Sequence, residues 1–100
     1  MDEERIKLSP EHTTYTDDDH SVFTIEIEIP GATKDEIAFK MSDESFYLAA
    51  PAADKLYIMN HATCHPVIPE EAKATYKNGL LKVDVPFKDS ISHAVEVKIN

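Results

Sequence analysis

The chain is poor in the residues that most site chemistries require. It has one cysteine, Cys64, so no intramolecular disulfide can form and a small secreted disulfide scaffold is excluded. Its two glycines, Gly31 and Gly79, are too few for a phosphate-cradling loop, and no G-x-S-x-G nucleophile elbow is present. Lys and Arg number 10 against 19 Asp and Glu, a formal net charge of −9. Phosphate binding requires a basic surface, so the composition argues against nucleic acid, and anionic lipid is disfavoured for the same reason. No apolar run approaches the ~20 residues needed to span a bilayer. The opening Met1-Asp2-Glu3-Glu4 also lacks the basic and apolar regions of a signal peptide. A cytoplasmic protein is the expectation these absences leave.

What is present is the ordinary material of a globular domain. One hundred residues, 42% hydrophobic and 29% charged, suffice for one core and one domain. The acidity is uneven, with nine acidic groups against Arg5 and Lys7 in residues 1–30. Asp2-Glu3-Glu4 and Asp17-Asp18-Asp19 read as a solvated leader and a turn. The second cluster lacks the Gly and the distal Glu of a calcium loop.

From residue 22 onward the pattern has a period of two. Phe23, Ile25, Ile27 and Ile29 alternate with Thr24, Glu26 and Glu28, a strand with one wet face, which Pro30-Gly31 ends. Thr33-Lys34-Asp35-Glu36 reads as a turn or one helical turn capped by Thr33. Strands follow at Ile37–Met41 and Phe46–Ala50, then over residues 56–65, where Tyr57, Met59, His61, Thr63 and His65 oppose Ile58, Asn60, Ala62 and Cys64. Residues 70–77 alternate with Ala72, Ala74 and Tyr76 inward. Asn78-Gly79 is the strongest hairpin signal, since both central residues need positive φ. Leu81, Val83, Val85 and Phe87 line one face of the returning strand, and Val95–Ile99 is a last candidate strand. Seven or so short strands with turns between them predict an all-β, immunoglobulin-like antiparallel β-sandwich over residues 14–100. Residues 1–13 show no stable pattern and read as a short acidic arm.

The candidate catalytic clusters dissolve on inspection. On a strand, Cys64 and His65 point to opposite faces and cannot pair as thiolate and imidazole. His61 and His65 share a face ~13 Å apart, too far for one metal ion, so Cys64 reads as a small buried or interface residue. Glu26 and Glu28 lie ~7 Å apart, within the range of paired glycosidase carboxylates, yet they are better explained as a wet strand face. His12, His20 and His93 have no visible partners. The expectation is a non-enzyme with no catalytic residue, cofactor or metal.

Residues 74–86, Ala-Thr-Tyr-Lys-Asn-Gly-Leu-Leu-Lys-Val-Asp-Val-Pro, resemble the A-x-x-x-N-G-(V/L)-L-x-V-x-(V/L)-P signature of the small heat-shock proteins, the alpha-crystallin-domain family. Residues 25–37, with Pro30-Gly31 and Lys34-Asp35-Glu36-Ile37, are similar to that family's P-G stretch, and Ile68-Pro69 matches its L-P step. The resemblance implies an ATP-independent chaperone that holds unfolding client proteins, as a homodimer or small homo-oligomer. It implies a groove between the strand after P-G and the strand after N-G, here offering Ile37, Phe39 and Met41, and Leu81, Val83 and Val85. In the family such a groove accepts an Ile-x-Ile-like tail. Val97-Lys98-Ile99 fits either that tail, through Val97 and Ile99, or the last strand. The 50–55 connection is too short for the exchanged strand of many members, and Cys64 stands where animal members have an arginine. These features resemble the CS-domain co-chaperones of a larger, ATP-driven chaperone, the alternative reading beside a plain protein-interaction domain.

Overall fold

Period-two alternation buries one face of a strand, so every such strand needs a second layer to cover it. The computed structural model, which describes residues 5–88 and 97–100, meets that need with two sheets. Among the described residues eight strands form: β1 (Ile6–Leu8), β2 (His12–Thr16), β3 (Val22–Glu28), β4 (Ala38–Met41), β5 (Ser45–Ala52), β6 (Lys55–Ala62), β7 (Lys73–Lys77) and β8 (Leu80–Pro86). They are ordered β1-β6-β5-β4 in one sheet and β2-β3-β8-β7 in the other. The pairings are antiparallel except for β1, which runs parallel to β6. The all-β sandwich expected from the sequence is the fold found.

The core follows from the alternation. Ile25, Ile27 and Ile29 from β3 and its end, with Val83 and Val85 of β8, lose all contact with solvent, facing Phe46, Leu48, Ala50, Tyr57 and Met59 of the other sheet. Thr24 is buried on the opposite face, where its hydroxyl donates to Asp84 Oδ1 at 2.7 Å. Asn78 and Gly79 adopt φ of 54° and 81°, the left-handed pair that a two-residue hairpin between right-twisted strands requires. The turn after β3 is held from both sheets. Tyr57 of β6 donates to the Pro30 carbonyl at 3.0 Å, and the Tyr76 hydroxyl of β7 lies 3.0 Å and 2.9 Å from the carbonyls of Ile29 and Ala32.

Asp17 organises the turn between β2 and β3. Its carboxylate accepts the Ser21 N–H and hydroxyl, each at 2.7 Å, and the Val22 N–H at 3.1 Å. These bonds, the Ser21 hydroxyl foremost, hold the carboxyl below the usual aspartate range because they favour its charged form. The stability it contributes is therefore complete above the ordinary aspartate value, and is lost as pH falls through the lower folded value. Asp17→Asn is expected to flatten the acid side of the stability–pH profile, read as urea midpoints in steps of pH. An unchanged profile would show that these bonds leave folding indifferent to the charge.

Several elements differ from the sequence expectation. Ile6–Leu8 and the start of β2 are strands although residues 1–13 show no pattern, because β1 lies along β6 and β2 along β3. The strand expected over 56–65 stops at Ala62, and Cys64 beyond it is exposed, not buried. Residues 69–71 form a 3-10 turn before β7, which leaves Ala74 exposed on an edge strand. Residues 95–96 lie outside the described residues, and Val97–Asn100 belong to no strand. Lys34–Glu36 is the expected single turn of helix, but the Thr33 side chain does not cap it.

Candidate functional site

Each sheet has two edges, and β4 and β7 lie along the same side of the sandwich. β4 alternates exposed Ala38 and Lys40 with half-buried Phe39 and Met41. Together with Ile37 these pack against the rim of the core, as Ala72 and Tyr76 do from the β7 side. The Phe39 ring lies 5.9 Å from that of Phe46, near parallel, so the strip is continuous with the interior. At its Met41 end a cavity of about 610 Å³ opens, lined by Met41, Val67, Ile68 and Pro69, with Asp43, Glu70 and Lys88 also on its wall. Backbone bonds fix this end, from the Val67 N–H to the Asp43 carbonyl and from the Ile68 N–H to the Pro86 carbonyl. This end of the β4 strip is thus a cavity with apolar and charged side chains on its wall, bounded by the end of β4 and by the segment before β7.

The six groove residues named from the sequence fall into two groups. Ile37, Phe39 and Met41 are half-buried at or just before edge strand β4, and Met41 lines the cavity. Leu81, Val83 and Val85 retain 4%, 0% and 0% of their exposure and face the sandwich interior. The reason is topological: β8 is paired on both sides, by β3 and β7, so its apolar face closes the core. On the β7 side, before Asn78-Gly79, the partly buried residues at the rim of the core are Tyr76 of β7 and Ala72 just before it. Its exposed Lys73 and Lys77 are the signal that could have marked it, since lysines commonly guard sheet edges. Val97 and Ile99 are 79% and 93% exposed and touch neither sheet as strands.

The remaining polar candidates serve the surface. Glu26 accepts the Tyr15 hydroxyl at 2.7 Å on the outer face of the β2-β3-β8-β7 sheet. That bond pushes the Tyr15 phenol up, because donating to a carboxylate favours the protonated form. β5 and β6 are joined by Ala53 and Asp54 alone, with Ala53 at φ 54°, so no exchange strand is inserted there. No helix among the described residues is long and apolar enough to cross a membrane.

No protein-family model matches the sequence, and no curated protein matches it either. Solved structures do match its fold. Heat shock protein 16.0 from Schizosaccharomyces pombe is 14% identical with a TM-score of 0.68, over 93% of this chain and 99% of that one. HSP18.5 from E. histolytica is 17% identical with a TM-score of 0.69, over 92% and 99%. The CS domain of the human KIAA1068 protein is 13% identical with a TM-score of 0.67, over 83% of this chain and 68% of that chain. With its two four-stranded sheets, the chain has the β-sandwich fold of the alpha-crystallin domains of small heat-shock proteins, a fold it also shares with a CS domain.

Proposed function

We propose that the protein is an ATP-independent holdase that captures non-native chains along the β4–β7 groove and suppresses their aggregation. The observation that carries this reading is the half-buried strip of Ile37, just before β4, with Phe39 and Met41 on β4, a strand that among the described residues pairs with β5 alone. An extended client can add its backbone to such an edge while alternate side chains enter the apolar groove. The charge of −9 keeps a loaded complex soluble. Neither a cofactor nor a catalytic residue is needed, and the cytosol suits the single thiol. Val97 and Ile99, spaced to reach alternate pockets, are the proposed link to the groove of a second copy in a dimer or small oligomer.

The two-residue β5–β6 connection and the CS-domain likeness favour a second reading, a co-chaperone that docks on a larger ATP-driven chaperone. Light scattering of a heat-labile enzyme separates the two. The holdase reading expects scattering to fall by half or more at about equimolar protein. No reduction even at about tenfold excess overturns it, and saturable binding to a chaperone ATPase then supports the second.

A further inference from the structure

Each sheet has an outer face, and the two differ in kind. On β2-β3-β8-β7 the outward positions include Glu26, Glu28, Lys82, Asp84, Lys73 and Lys77, as strands facing water should. On the other sheet, Phe46, Leu48, Ala50 and Ala52 of β5 and Tyr57 and Met59 of β6 point into the core. The alternate positions point away from it: Tyr47, Ala49 and Pro51 of β5, Leu56 and Ile58 of β6, and Ala38 of β4. They adjoin by register, with Ala49 between Ala38 and Ile58, and Pro51 opposite Leu56. Residues 46–52 and 56–59 are therefore apolar on both sides, the pattern of strands covered on both faces. The described residues form two layers, and the second layer covers the inner face alone.

The charge distribution says what fits on this outer face. The chain carries −9, so copies repel one another wherever carboxylates meet. Yet β1, β4, β5 and β6 contain no Asp or Glu, and Asp43, Glu44 and Asp54 lie in the turns at the ends of the sheet. Of the two outer faces, this is the one without a carboxylate. Its outward lysines, Lys7 and Lys40, stand on the edge strands β1 and β4. Lys7 is level with Leu56 and Lys40 with Tyr47 and Asn60, a stagger of about 13 Å along the strands. We propose that this face packs against the same face of a second copy, about a two-fold axis running along the strands near Ile58 and Ala49. β1 then lies over β4 of the second copy, and the stagger between their lysines exceeds the screening length of about 8–10 Å. An uncharged apolar face suits another of its kind, and sheets stack in this way about 10 Å apart. Strand spacing and rise give the face roughly 400–500 Å² per copy. Two such faces reach the low end of specific interfaces, so the dimer is weak, with Kd on the order of tens of micromolar.

Sedimentation velocity of the full chain, from about 1 to 500 µM, spans that range of affinity and tests the proposal. The expected result is a dimer that forms with rising concentration. Ile58→Lys and Ile58→Glu each set two like charges beside the axis, and both should weaken the dimer by about tenfold or more while circular dichroism stays that of the parent. They shift the net charge in opposite directions, so a shared loss reports on the face and not on overall repulsion. An equimolar mixture of the two should pair again, Lys against Glu. Tyr47→Lys should weaken the dimer likewise and serves where an Ile58 variant fails to fold. The double variant Val97→Ser, Ile99→Ser removes the tail contact proposed above and should keep this dimer. A chain that stays monomeric throughout leaves the face to an unlike partner and overturns the proposal. So does a dimer that survives in the folded Ile58 and Tyr47 variants, or one lost in the tail variant.

Discussion

Phe39→Asp is expected to remove most of the aggregation suppression while the sandwich stays folded. Phe39 is half-buried on an edge strand and stacks on Phe46 at 5.9 Å. A carboxylate there breaks the apolar strip at its centre and must be stripped of water before any client can cover it. Partial exposure limits the stability cost to about 1–3 kcal/mol, whereas the amount of protein required for half-suppression should rise at least about tenfold, a loss of roughly 1.4 kcal/mol or more in client binding. Lys40→Asp, on the outward face of the same strand, should leave suppression near the parent value. Circular dichroism and the scattering assay together decide the matter. If Phe39→Asp keeps its fold and its full suppression, the β4–β7 groove is not the client site. Leu81→Asp asks a different question, because Leu81 is 4% exposed inside the core. A charge buried there should unfold the domain, and its loss of activity would say nothing about the groove.

Gly79→Val should be the most damaging substitution in any turn. Gly79 sits at φ 81°, where a β-branched side chain is strained by about 1–2 kcal/mol or more. A Cβ added there would also lie 3.1 Å from Pro30 Cα, a backbone atom in a turn anchored by Tyr57 and Tyr76 from both sheets. The Gly79 carbonyl accepts the Ile29 N–H at 2.8 Å, so any shift that relieves the clash strains this bond. The combined cost is roughly 2–4 kcal/mol, or a midpoint lowered by about 10 °C or more. Gly31→Ala is the internal comparison. Its φ is 89°, but its new Cβ meets only Ala52 Cβ at an ordinary 3.5 Å, so conformational strain of about 1–2 kcal/mol stands alone. Urea midpoints that rank Gly31→Ala as the more damaging would refute the role given to the Pro30 contact.

Much of this molecule is legible residue by residue. The inward set Phe23, Ile25, Ile27 and Ile29 is a statement of period two, and burial agrees with it. The Asn78-Gly79 hairpin is a statement of left-handed backbone, and both φ angles agree. Such signals are local, carried by neighbours along one strand or turn. β2 shows the opposite case. His12–Thr16 buries no residue, so apart from the strand propensity of Thr and Tyr it has no covered face for period two to mark, and the ladder along β3 is what places it in the sheet.

The candidate sites divide along the same line. By itself the sequence determined that this chain is a two-layered sandwich of short strands, because alternation, turn residues and the rarity of glycine and cysteine act over a few positions. Only the tertiary structure decided which strand ends a sheet. That choice put Leu81, Val83 and Val85 in the core, left Phe39 and Met41 half-buried on an edge strand, and brought His12 to His61 across 48 intervening residues. A strand's pattern records that one of its faces is covered. It carries no record of which neighbour lies beside it, because pairing partners are chosen by the closure of the whole core and not by either strand alone.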